Sequence, residues 1–111
     1  MPTIVKLDCD RITDWASFHD VCRETFGFPD FYGANMDAWI DCMTYVDDPD
    51  DSMTKVHAPP GGVLVLELVN AKSFADRCPE EYAALIECSA FVNWRRIKMN
   101  EEPVLAISFH E

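Results

Sequence analysis

The hydrophobic positions change period several times along the chain, and each change marks an element. Residues 3–7, Thr-Ile-Val-Lys-Leu, predict a short strand. Thr13 then offers a hydroxyl N-cap with Asp14 in the first turn, and Trp15, Phe18, Cys22, Thr25 and Phe26 recur at helical spacing. This pattern predicts a helix with those aromatics in the core, stopped by Gly27 and Pro29. After a compact aromatic turn, Phe28-Pro29-Asp30-Phe31-Tyr32-Gly33, Asn35 can cap a second helix running to about Tyr45, with Met36, Trp39, Ile40 and Met43 as its buried stripe. From Asp47 to Gly62 no regular element is evident, so this stretch reads as a long acidic loop.

The pattern resumes with Val63-Leu64-Val65-Leu66-Glu67-Leu68-Val69, a nearly unbroken apolar run that predicts a central strand covered on both faces. Residues 71–77 suit a short helix, and Pro79 suits the first turn of a longer one reaching about Lys98, with Tyr82, Leu85, Ile86, Ser89 and Val92 along one side. Residues 103–109 close the chain as a last strand. Strands separated by helical stretches imply a parallel sheet with crossover connections: an α/β fold with three strands and about four helices in a single domain, residues 1–111.

The 111 residues are 49% hydrophobic, which excludes disorder as the default. No apolar run approaches the ~20 residues of a spanning helix, and the N-terminus lacks a basic region followed by an apolar stretch, so the expectation is a cytoplasmic chain without a membrane association. Five cysteines form no C-x-x-C pair and lie far from the three histidines, which favours reduced thiols and supports neither a zinc nor a redox motif.

Charge sharpens the picture. The net charge is −11, and residues 24–54 alone carry eight acids with no Lys or Arg. Such a field repels nucleic acid and attracts a basic protein or a cation. A solvated face that promotes solubility is the plainer alternative, and both readings stay open for the charge run alone. Within that segment Asp37, Asp41 and Thr44 cluster on the flank of the second helix that solvent or a partner would see, and Ile40 borders that flank and the buried stripe. Two carboxylates at i and i+4 repel. The helix dipole compensates Asp37 in the first turn but not Asp41 farther along. Receiving a partner's cation is the functional reading preferred here over catalysis by a carboxylate pair, for which no second set of substrate-binding groups is seen. A small-molecule or metal-binding regulatory α/β domain using the same carboxylates is the alternative. The Asp47–Asp51 cluster fails as a calcium loop, because Ser52 stands where Gly is needed and Ala58 where the bidentate Glu should be. For Arg95, Arg96 and Lys98 the simplest role is to complement a helix C-terminus.

The segment Phe28-Pro29-Asp30-Phe31-Tyr32-Gly33-Ala34-Asn35-Met36-Asp37-Ala38-Trp39-Ile40-Asp41-Cys42-Met43-Thr44 resembles the signature of the barstar family, intracellular inhibitors of bacterial ribonucleases such as barnase. The likeness is dense here, and beyond it is one of element order. It implies a three-stranded parallel sheet with four helices, no enzymatic activity, no cofactor, and an acidic helix-loop surface that plugs the active site of a small basic ribonuclease or nuclease toxin as a monomer binding 1:1. By the same resemblance Asp41 is the central aspartate that stands in for a substrate phosphate, and Asp37 is its binding neighbour. Phe31 takes the place of an interface Tyr, and Asn35 and Thr44 lie beside that face. The sequence departs from the family at Ile40 and Val46, which replace interface tryptophans, and near Arg96, where an acid is expected. The loop at about 47–62 reads as an insertion. These departures leave open whether barnase itself is bound, and a different ribonuclease or toxin, read in part by the acidic loop, is the hypothesis they raise.

Overall fold

The computed structural model describes residues 2–111, and among them three β-strands and four α-helices. Strand β1 (Thr3–Asp8) leads through a 3-10 turn at Cys9–Arg11 into helix α1 (Trp15–Phe26), and helix α2 (Met36–Thr44) follows. Strand β2 (Leu64–Val69), helices α3 (Ala71–Arg77) and α4 (Pro79–Lys98) and strand β3 (Leu105–Phe109) complete the order. The sheet is fully parallel in the order β1-β2-β3, so β2 is central, as its apolar composition predicts. The expected three-strand, four-helix α/β architecture is the observed one.

Register explains which face is buried. Val5 and Leu7 pair with Leu66 and Leu68, and Leu105 and Ile107 pair with Leu64 and Leu66, which puts these residues on one face under the helices. The alternate positions Ile4, Lys6, Asp8 and Ala106 are exposed. Covering of β2 on both faces is therefore corrected: its residues are alternately buried and half-buried. Successive right-handed crossovers in the order 1-2-3 place both sets of helices on the same side.

Local chemistry sets the helix ends. The cap of α1 is Asp14, and not Thr13: the Asp14 carboxylate accepts from Ser17 N at 2.8 Å, while Ser17 Oγ accepts from Asp14 N at 3.0 Å, a reciprocal capping box. A carboxylate at that position also faces the positive end of the helix dipole. Trp15, expected in the core, begins the helix and stays 37% exposed, whereas Phe18, Cys22 and Phe26 are buried. Gly27 ends α1 in the left-handed region at φ +71°, and a Cβ there would lie 2.5 Å from Lys55 Cβ. Only glycine meets both demands.

The stretch after α2 is more ordered than a solvated loop. It contains a 3-10 turn at Pro49–Asp51, buries Val46, Thr54 and Ala58, and bonds back to the core through Lys55 N to Phe26 O and Ala58 N to Val46 O. All five cysteines are free thiols, four of them buried. Burial pushes the thiols of Cys9 and Cys22 up to about 12 and that of Cys42 to about 11, which leaves them protonated and unreactive at neutral pH.

Arg96 of α4 joins the pieces. Its guanidinium, 4% exposed, donates to both Asp47 oxygens at 3.0 and 2.7 Å, to the Thr44 carbonyl at 2.8 Å and to the Glu102 carbonyl at 2.7 Å. One side chain thus ties the end of α2, the start of the acidic stretch and the approach to β3. Arg96→Ala should lower stability by about 3–5 kcal/mol, because a buried pair loses one member and two carbonyls lose a donor. Urea unfolding measures this, and a loss below about 1 kcal/mol would contradict the role.

Candidate functional site

Two features make the turn before α2 rigid while leaving one aromatic outside. Phe28 and Tyr32 are buried with ring centroids 4.6 Å apart, and Tyr32 N donates to Pro29 O. Phe31, between them in sequence, is turned out and 76% exposed. The Tyr32 hydroxyl reaches His19 Nδ1 at 2.6 Å, and His19 in turn stacks on Trp15. Burial holds the Tyr32 phenol protonated far above its usual range and pushes the His19 imidazole below 6.5, Asp20 acting in the opposite sense. The bond therefore joins two uncharged groups at neutral pH, a phenol and a neutral imidazole.

Asn35 is spent on structure. Its side-chain oxygen accepts from Ala38 N at 2.8 Å as the N-cap of α2, the role its position predicts. It also lines an apolar hollow of about 500 Å³ with Trp15, His19 and Met36, away from the acidic groove described next.

From this anchored start α2 presents Asp37 and Asp41 on its outer side, with Ile40 half-buried between them. These three residues, together with Phe91 and Arg95 of α4, line an open groove of about 400 Å³. Arg95 Nη1 donates to Asp41 Oδ1 at 2.9 Å across the two helices, with side chains 35% and 57% exposed. Such a pair contributes at most about 1 kcal/mol of stability. Ile40 does border both core and surface, as its helical position predicts.

Two expectations for this face are corrected. Thr44 does not face solvent: it is fully buried, and its hydroxyl donates to the Ile40 carbonyl at 2.6 Å. A hydroxyl one turn behind a buried carbonyl satisfies both groups, which draws it inward despite its angular position. The basic residues of α4 do more than complement the helix end, since Arg95 and Arg96 each pair with an acid contributed from the α2 side. Asp47 is accordingly held by Arg96 rather than freely displayed, and Val46 is wholly buried. Sequence reasoning missed Phe91 and Arg95 as neighbours of the acidic face. Both lie off the buried stripe of α4, and no signal in the chain told which helix they would face.

Asp37 and Asp41 thus give α2 an acidic outer face that borders an open groove. The family model for barstar, the barnase inhibitor, matches residues 3–106, and the chain belongs to the barstar family. Its members are non-catalytic inhibitors of barnase-like ribonucleases, and that is the functional class of this chain. No curated protein matches the chain as a relative. Among the described residues no group of three His, Cys, Asp or Glu side chains is arranged to hold a metal ion, and no helix is long and apolar enough to cross a membrane.

The His19–Tyr32 bond links the turn to pH. A native-state pKa below that of the unfolded chain means that the unfolded state takes up a proton first as pH falls through 6.5. The stabilisation present above that pH is then lost on acidification. Between pH 7 and 5 the wild type should lose stability more steeply than His19→Gln in urea titrations, and equal slopes would contradict the assignment.

Proposed function

We propose that this chain blocks the active site of a small basic ribonuclease or nuclease toxin, as a monomer in a 1:1 complex, by offering the outer face of α2 and the preceding turn in place of RNA phosphates. The observation that carries this reading is the grouping of Asp37, Ile40 and Asp41 around one open groove, with Phe31 exposed on the turn before α2.

The chemistry follows from what an RNA-cleaving site must contain. Such a site holds phosphate with Arg, Lys or His, and carboxylates fixed on a helix meet the same cations without a cleavable bond. Rigidity matters, because groups already in place lose little entropy on docking. Asn35 as cap and Arg96 as tie hold the two ends of α2, so Asp37 and Asp41 keep their spacing. Asp41 is the principal anchor: Arg95 engages its Oδ1, and Oδ2 remains available to a partner's donor. Phe31 supplies an aromatic contact at the edge, and Ile40 an apolar floor. The exposed acids Asp48, Asp50 and Asp51 lie outside the groove and serve encounter through long-range attraction, which salt weakens.

Titration of barnase RNA cleavage with wild type, Asp41→Ala and Asp50→Ala tests the reading. Asp41→Ala should weaken inhibition by about 2–5 kcal/mol, the range for removing one member of a desolvated charge pair, while Asp50→Ala should change mainly the association rate. Equal small effects of the two substitutions would remove Asp41 from its role.

A further inference from the structure

Both arginines near the end of α4 hold acids of the α2 side, but in unlike surroundings. Arg96 is buried with four hydrogen bonds, whereas Arg95 makes a single bond to the one carboxylate that the proposed function needs free. Both members of the outer pair reach solvent, so the bond is weak and exchangeable. Asp41 nevertheless carries a cation 2.9 Å away, and an approaching target meets an anchor whose charge is partly offset. Asp37 has no ion-pair partner within the chain among the described residues.

We propose that Arg95 is an internal competitor for the inhibitory anchor: its guanidinium occupies Asp41 in the free protein and must be displaced or shared when a target cation enters the α2–α4 groove. This rests on the reading of α2 as the inhibitory face and adds to it a selectivity device. A lone surface lysine that meets Asp41 gains little over the guanidinium already there. A planar guanidinium from the target, able to bridge Asp37 and the free oxygen of Asp41 while lying along Ile40 and Phe91, gains several contacts at once. The chemistry favoured is therefore an arginine-lined phosphate site, and Arg95 disfavours casual association with other basic surfaces.

The test is inhibition of barnase RNA cleavage, with association rates, for wild type, Arg95→Gln, Lys98→Gln and Asp41→Ala. Lys98 lies over the Trp94 ring on the same helix, so its substitution removes an equal charge without touching Asp41. Arg95→Gln should inhibit up to about fivefold more tightly and associate faster, whereas Lys98→Gln should show only the smaller effect of a changed overall field. Arg95→Gln equal to wild type or to Lys98→Gln, or weaker than wild type, overturns the competition. If Asp41→Ala abolishes inhibition while Arg95→Gln leaves it unchanged, the competitor fails and the anchor stands. If wild type and Arg95→Gln both fail against barnase and against a panel of other small basic ribonucleases, the anchor reading fails and takes the competitor with it.

Discussion

The placement of the acidic face depends on a buried guanidinium. The Arg96 side chain is buried, and its charge is tolerated because Asp47, Thr44 and Glu102 between them supply its acceptors. Each of those contacts fixes a different piece of chain. The carbonyl at the last residue of α2 is capped by a side chain from α4, the acidic stretch is tethered at its first residue, and the turn toward β3 is closed against the same group. Asn93 continues the seam one turn earlier: its oxygen accepts from Val104 N and Leu105 N, and its amide donates to Leu105 O. The α2–α4 groove is thus a product of the same contacts that seat β3.

Arg95 and Arg96 are adjacent in sequence, yet a difference in burial gives them different tasks. In water an ion pair between mobile side chains is cheap to open, so Arg95 can yield Asp41 to another donor. Removed from water, the same chemistry becomes a constraint, since opening it would strand a charge. The proposed inhibitory role calls for both kinds of pair, side by side on one helix pair.

Much of the architecture was readable in the chain. Helical spacing located α1, α2 and α4, the run at 63–69 marked the central strand, and Asn35 and Gly27 marked helix ends through chemistry that few other residues supply. The misses share a cause. Thr13 and Asp14 are both good caps, and only the reciprocal bond of Ser17 decides between them. Thr44 was assigned by angle on the helix, but an intrahelical hydrogen bond let it bury. The apolar composition of β2 suggested two covered faces, whereas its alternate residues are only half-buried between neighbouring strands. For the site, the helix carrying Asp37 and Asp41 could be read directly, because both acids lie within one local element. Their surroundings could not: Arg95, Arg96 and Phe91 arrive from a helix some 50 residues away, and tertiary pairing of that kind leaves no periodic trace.

The central claim is that the α2 face, and not the open side of the sheet, meets the target. Methyl NMR spectra recorded while barnase is added test it most directly. Ile40 should shift and broaden with a 1:1 endpoint while Ile4 and Val65 on the open sheet face keep their positions. Perturbation of Ile4 and Val65 with Ile40 unmoved would contradict the account.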